Sequence, residues 1–286
     1  MILASYNIQY SRGRDRSYDL PRSLAVVRDA DVIALQEIER NWRRTGFADQ
    51  PRLIEQRMPD RYCAYGVAFD VDASAWENDR VVNRRRQFGQ MTLSRWPILS
   101  SRMHLLPKLD TGPMFCMTAG ALETVIAAPG GPVKVLNVHL SHTVGRERIG
   151  QVEELLRILE RAGQEGGAWN GTEIEAEHWQ LTGAAPPLPV EAILLGDFNA
   201  EPSSQEHRMI RDSANKVRFS DAWLACGNDP AGGTTFYKDP LQDTHRDVRI
   251  DYCFLSEGHA KQLKRIWVDG EEDASDHQPL WVELES

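Results

Sequence analysis

The feature that most constrains this chain is a succession of short apolar runs, several of which stop on a polar or acidic residue. Residues 2–10, 31–36, 62–69, 88–93, 103–106, 117–127, 133–140, 192–195, 248–255, 260–268 and 279–284 read as strands. Helical signals are fewer. Asp19 is placed to cap a helix with Pro21 in its first turn, ending near Ala30, and a short helix over 52–58 is closed by Pro59. Over 146–161, Ile149, Val152, Leu155, Leu156 and Leu159 recur on one face at helical spacing, and 205–212 is also expected to be helical. Many strands with few helices imply two packed sheets with helices outside them. No short-period repeat, low-complexity tract or linker interrupts the pattern, so one domain over 1–286 is the expectation. The apolar pattern lapses over 162–189, which reads as a surface insertion or lid.

Composition narrows the function classes. At 286 residues with 41% hydrophobic content and eight tryptophans, the chain has material for a large core. Its net charge of −9 and pI near 5.4 do not advertise a broad basic face, so nucleic acid is a possible partner but not the favoured one. Cys63, Cys116, Cys226 and Cys253 lie far apart and form no CxxC or Cys/His cluster, which argues for buried free thiols rather than a thiolate zinc site. The sequence shows no signal peptide and no run near the ~20 apolar residues of a transmembrane helix. A cytoplasmic protein, monomeric because no long apolar stripe stands out, is expected.

The polar residues at strand ends form a chemically coherent set. They are Asn7, Glu37 in Leu-Gln-Glu, His139 in Asn-Val-His-Leu, Asp197 and Asn199 in Gly-Asp-Phe-Asn, Asp251 in Arg-Ile-Asp-Tyr, and Asp276 and His277 in Ser-Asp-His. Singly, each is a plausible turn or loop residue, since Asp and Asn bond their own backbone. Together they sit where a rigid scaffold holds loop-borne sites. Glu37, Asp276 and Asn7 are hard oxygen donors of the kind Mg²⁺ or Mn²⁺ prefers, for one ion or two. Asp197 is then free to act as general base on a water, with Asn199 holding phosphate or water in line. His139 and His277 can hydrogen-bond non-bridging oxygens, and Asp251 can orient His277 and raise its pKa.

Those blocks, in that order and spanning positions 7 to 277, resemble the endonuclease/exonuclease/phosphatase family. That family includes deoxyribonuclease I, the abasic-site endonucleases, inositol polyphosphate 5-phosphatases and neutral sphingomyelinases. The resemblance implies an α/β four-layered sandwich, two mostly antiparallel sheets flanked by helices, with the site at the rim where the sheets open. It also implies Glu37 as principal metal ligand with Asn7 and Asp276 close by. Asp197 would be the water-activating carboxylate, Asn199 a phosphate-orienting partner, Asp251–His277 a phosphate clamp, and His139 would flank the scissile phosphate. Gln90 stands where many relatives carry Asn, which puts any part in orienting His139 in question.

Other residues invite two readings each. His142 lies three positions after His139; on a continuing strand the two rings would face apart, whereas a turn would bring both to the site. His142 and Arg146 are carried as substrate-contact candidates, with helix-surface charge the bland reading of Arg146 and Arg148. Arg84, Arg85 and Arg86 read first as a solvated loop and alternatively as a landing patch for extra phosphates. Trp76, Trp169 and Trp179 read as packing anchors or as an apolar wall. The expected activity is divalent-metal-dependent hydrolysis of a small or lipid-derived phosphate ester, the alternatives being a nuclease and a non-catalytic binding protein on the same fold.

Overall fold

The computed structural model describes residues 1–169, 185–237 and 247–285. In chain order the elements are β1 (Ile2–Asn7), α1 (Leu20–Val26), β2 (Val32–Arg40), α2 (Gln50–Arg57), β3 (Tyr62–Asp72), β4 (Ala75–Glu77), β5 (Arg80–Val82), β6 (Arg85–Ser94), β7 (Ile98–Leu105), β8 (Gly120–Ala128) and β9 (Gly131–His139). They continue with α3 (Gly145–Glu165), β10 (Ile193–Asp197), α4 (Gln205–Arg211), β11 (Phe219–Asp221), α5 (Ala222–Ala225), β12 (Asp251–Ser256), α6 (Glu257–Ala260), β13 (Leu263–Val268) and β14 (Leu280–Leu284).

Two sheets carry the architecture. One has strand order β13-β14-β1-β2-β6-β3 and the other β11-β12-β10-β9-β8-β7, with β4 and β5 a separate hairpin. Each sheet has one parallel pair at its centre, β1–β2 in the first and β9–β10 in the second, flanked by antiparallel neighbours. Side chains alternate across each strand, so three cores form. Leu3, Ala34, Val135, Leu195, Cys253 and Val282 fill the space between the sheets. Ala4, Tyr6, Ile33, Leu35, Leu24 and Ile54 pack the first sheet against α1 and α2. Leu136, Val138, Val152, Leu155 and Leu159 pack the second against α3. Helix, sheet, sheet and helix make the four layers expected of the chain.

Local sequence explains the helix starts. Asp19 and Asp49 accept from the backbone N–H of Arg22 and Arg52, with Pro21 and Pro51 inside the first turns, and Ser204 caps α4 the same way.

Several boundaries differ from the sequence expectation. The first strand stops at Asn7, and residues 9–11 form a 3-10 turn with Gln9, Tyr10 and Ser11 at φ of 44°, 46° and 70°. The strand expected over 248–255 begins at Asp251, and the stretch from Ala260 opens with the end of α6. Arg85 and Arg86 belong to β6 rather than a loop. The long helix runs on to Glu165 and so absorbs the start of the expected 162–189 insertion; most of that insertion, Trp179 included, lies outside the described residues. Trp76 is no packing anchor, being 70% exposed on β4. The four cysteines are free, but only Cys253 is fully buried. Among the described residues no helix is long and apolar enough to cross a membrane.

Candidate active site

The two-residue period of the strands aims the site. Leu3 lies in the inter-sheet core, so Ser5 and Asn7 continue the same face of β1. Likewise Val135, Asn137 and His139 share a face of β9, Ile193, Leu195 and Asp197 a face of β10, and Leu255, Cys253 and Asp251 a face of β12. Every one of these series runs from the apolar interior to a polar residue at the same open edge. Pairing fixes the register there: Asp197 stands opposite Asp251 on one side and His139 on the other.

Glu37 breaks the alternation. Period two would send it toward the helical layer with Ile33 and Leu35. A bulge between Leu35 and Ile38, with Glu37 at φ of 61°, turns it toward the site instead and returns Ile38 to the core. Its non-glycine residue in the left-handed region carries strain of the kind that surrounding structure must hold in place.

Hydrogen bonds knit the two sheets at this edge. Asn7 donates Nδ2 to Asp197 Oδ2 at 3.0 Å and to Glu37 Oε1 at 3.2 Å, while its Oδ1 accepts from the Gln9 N–H at 3.0 Å. Asp197 Oδ2 also lies 3.6 Å from His139 Nε2 and 3.7 Å from His277 Nε2. His277 Nδ1 bonds Asp251 Oδ2 at 2.9 Å, and Asp251 N–H donates to Thr235 Oγ1 at 3.0 Å. Asp276 accepts from Gln9 Nε2 at 2.5 Å and from Ser275 Oγ at 3.3 Å. Asn199, at φ of 49°, gives its N–H to Asp197 Oδ1 at 2.8 Å and its Nδ2 to Leu140 O at 2.9 Å. Beneath the cluster a buried amide floor spans the sheets: Gln36 Nε2 donates to Asn137 Oδ1 at 2.8 Å, and Asn137 Nδ2 to the carbonyls of Leu35 and Met91.

Electrostatics separates the groups. Burial alone would lower the His277 pKa, yet Asp251, Asp197 and Asp276 outweigh it and raise it to about 10, so the ring is an imidazolium. Burial, reinforced by His277 and His142, drives His139 down to about 3, so its ring is neutral. Burial and then Asp251 raise Asp197 to about 7; burial and then Asp276 raise Glu37 to about 7. Asp276 is also raised, first by burial.

Asn7, Glu37, His139, Asp197, Asn199, Asp251, Asp276 and His277 are thus linked by contacts at one edge. The strand ends at His139, and His142, exposed beside Thr143, lines a cleft with His139 and Gln90, whereas Arg146 is exposed on the first turn of α3. Arg148 is held by Glu206 and Ser141 O. Gln90 donates to Gly120 O at 2.6 Å. Sequence reasoning missed Gln9, Thr235, Gln36 and the role of Ser275. Gln9 lies in a left-handed turn after the strand has ended, where alternation no longer aims side chains, and nothing near Thr235 announces it.

Residues 4–277 match the profile of the Endonuclease/Exonuclease/phosphatase family. The chain belongs to that family. Members of the endonuclease/exonuclease/phosphatase family are hydrolases of phosphoester bonds. No curated protein matches the sequence. Solved structures that resemble it include an endonuclease/exonuclease/phosphatase from Beutenbergia cavernae, 22% identical, covering 100% of this chain and 72% of that one with a TM-score of 0.68. A mannosyl-6-phosphatase from Bacteroides thetaiotaomicron is 18% identical, with both chains covered in full and a TM-score of 0.62. A 3′ phosphatase from Neisseria, bound to a product DNA hairpin, is 17% identical over the full length of both chains at a TM-score of 0.59. At these identities the likeness is one of fold.

The donor set of this member suits a cation. Glu37, Asp197, Asp251 and Asp276 converge, and among the described residues no lysine or arginine is ion-paired with any of them. Asp197, Asp251 and His277 bring ligand-type atoms within 4.8 Å of one another.

Proposed function

We propose that this member is a divalent-metal-dependent hydrolase of phosphate esters, with a small or lipid-derived ester as substrate. The observation that carries the reading is the set of four converging carboxylates with no lysine or arginine in ion-pair contact among the described residues, which leaves room for both a cation and a phosphate. Glu37 and Asp276 hold the ion, Mg²⁺ with Mn²⁺ able to substitute. Asn7 lies beside it; as placed, its amide oxygen is engaged by Gln9, so it steadies the Glu37 and Asp197 carboxylates through Nδ2. The Asp197–Asp251–His277 group is the poorer ion site, because an imidazolium has no lone pair to give and Nδ1 is committed to Asp251.

The bound ion supplies Lewis-acid polarisation of a phosphoryl oxygen. Asp197, ionised, takes a proton from water; its Oδ2 is oriented by Asn7 and lies within reach of both imidazoles. His277, held positive by Asp251, donates from Nε2 to a non-bridging phosphate oxygen, where charge grows in the transition state. Neutral His139 donates or accepts on the Glu37 side without adding to the positive charge. Asn199, fixed through its Nδ2 to Leu140 O, flanks the water.

Hydrolysis of bis-p-nitrophenyl phosphate, p-nitrophenyl phosphate, sphingomyelin and plasmid DNA in Mg²⁺ or Mn²⁺, with Asp197→Ala as control, tests this. Metal-dependent cleavage of small or lipid esters that vanishes in the variant supports it. Cleavage of DNA alone replaces the substrate class with a polynucleotide, and activity that persists in Asp197→Ala removes the assigned base.

A further inference from the structure

Beside Glu37 the loop after β2 builds an arginine platform that the hydrolysis scheme leaves unused. The Arg44 guanidinium carbon stands 3.6 Å from the Tyr10 ring centroid and 4.5 Å from that of Trp42. Its Nε and Nη2 bond the same Glu39 oxygen at 2.8 and 2.6 Å, and Thr45 Oγ1 bonds the other at 2.5 Å. The Glu39 side chain is 0% exposed whereas that of Arg44 is 32% exposed, so a buried carboxylate fixes an arginine that still faces solvent. Nη1 has no partner among the described residues.

A second guanidinium shares the indole. Arg86 lies 5.7 Å from the Trp42 ring and gives only Nε, to Asn41 O at 3.3 Å. Trp42 is itself fixed by its Nε1 bond to Gln87 O at 2.8 Å. Neighbouring Arg40 is neutralised by Asp49, but Arg86 has no carboxylate partner among the described residues. Arg44 is balanced by Glu39 while Arg86 keeps its charge, and both guanidiniums are held around one ring with donor edges left over, an arrangement that an anion completes. Phe88 links it to the reaction centre, with its ring 6.3 Å from Trp42 on one side and 6.3 Å from His139 on the other.

We propose that Arg44, with Arg86 across Trp42, is a second phosphate subsite, so that the substrate carries another phosphate besides the ester that is cleaved. The inference rests on the hydrolase reading for what happens at Asp197, but not for the subsite itself. Its chemistry fits either a small bisphosphorylated molecule or the neighbouring phosphate of a short nucleotide chain. Pre-fixing both side chains on aromatic rings lowers the ordering cost on binding, as a built recognition site requires.

The test is calorimetric binding to the full chain in Ca²⁺, comparing fructose 1,6-bisphosphate with fructose 6-phosphate, and 5′-phosphorylated dithymidine with its unphosphorylated form. Esters of p-nitrophenol are assayed in parallel in Mg²⁺. The expected result is a preference of about tenfold or more for the member with the extra phosphate in at least one pair, the scale of one charge-assisted fork. Arg44→Ala abolishes that preference and Arg86→Ala reduces it. Because Arg44→Ala leaves Glu39 buried without its partner, Arg44→Lys is the companion variant. It keeps the charge against Glu39 but loses the planar fork, and it too abolishes the preference. Equal affinity within both pairs, no binding of any of the four, or a preference that survives both Arg44 variants overturns the subsite. A preference that depends on Arg44 in a chain that cleaves no ester keeps the subsite and removes the hydrolase reading. Ester hydrolysis without any preference does the reverse. A preference confined to one pair identifies which source of phosphate the site takes.

Discussion

The two sheets offer the same local geometry and use it differently. In each, a central parallel pair ends at the open edge and an antiparallel neighbour comes back beside it. The first sheet delivers Asn7, Glu37 and, just before β14, Asp276. The second delivers Asp197, His139 and Asp251. On the second, alternation alone aims the side chains, and Asp197 and Asp251 end up buried. On the first, Glu37 is turned by a bulge, the chain after Asn7 takes left-handed conformations, and Glu37 and Asp276 stay partly open. Regular strands give a tight, dry group suited to proton transfer, whereas irregular ends spread oxygen donors around a space, as a hydrated cation needs.

If that division holds, the largest effect comes from the proton-transfer group, the second sheet's Asp197 and Asp251 joined by His277 from just before β14 of the first. Asp197→Ala should lower turnover by about a thousandfold or more at saturating metal, the range for loss of a general base. His277→Ala should cost about a hundredfold or more through loss of a charged donor. Both are checked by kcat with circular dichroism confirming the fold. A loss that extra Mg²⁺ restores in Asp197→Ala would merge the two groups into one.

Next in size is the floor that joins the sheets. Asn137→Leu removes the amide donor that the carbonyls of Leu35 and Met91 share and one of the three acceptors of Gln36 Nε2, all in a buried setting. Each unmet group costs about 1–3 kcal/mol, so urea unfolding should report a loss of about 3 kcal/mol. An unchanged midpoint would mean that the sheets are held by the apolar core alone.

How far the site was legible follows the same division. Asp197, His139 and Asp251 could be read because each continues an apolar series by steps of two, a pattern that survives in sequence. Glu37 was found as a strand-end acid, but its aim could not be read: the bulge carries no glycine or proline, and β2 continues beyond it to Arg40. The turn at Gln9–Ser11 was invisible for the same reason, its left-handed residues being held by tertiary bonds such as that from Gln50 Nε2 to Tyr10 O. Two packed sheets with helices outside them were legible from strand number and helix faces, and the four-layered sandwich from the family resemblance, whereas hairpin β4–β5 and the short α5 and α6 are too brief to leave a periodic signal.

The first sheet's variants should act through metal. Glu37→Gln should raise the Mg²⁺ concentration for half-maximal rate about tenfold or more, with a smaller loss at saturation. The pH dependence points the same way. Glu37 and Asp197 have folded-state pKa values raised to about 7, so the folded chain holds their protons more tightly than the unfolded chain does. Their contribution to stability is therefore full below the ordinary carboxylate range and is lost as pH rises to about 7. A cation that relieves the repulsion should raise the melting temperature more at pH 8 than at pH 5. Equal Mg²⁺ shifts at both values would detach the ion from these carboxylates.

The smallest effect, and the sharpest test of the division, is expected at Gln9. Its Nε2 holds Asp276 Oδ2 at 2.5 Å and its backbone N–H holds Asn7 Oδ1, yet it touches neither Asp197 nor His277. Gln9→Ala removes the side-chain bond and keeps the backbone one. It should raise the Mg²⁺ requirement by about three- to tenfold, the low end for loss of a residue that orients a ligand. The rate at saturating Mg²⁺ and its pH profile should stay within about twofold, because the proton-transfer group on the second sheet is untouched. Gln9→Glu separates orientation from charge: it adds a carboxylate beside Asp276, which strengthens metal binding if the ion sits there and only adds repulsion if it does not. A tighter Mg²⁺ requirement in Gln9→Glu alongside a weaker one in Gln9→Ala would fix the ion on the first sheet. Movement of the pH profile in Gln9→Ala would show that the carboxylates of both sheets titrate as one unit.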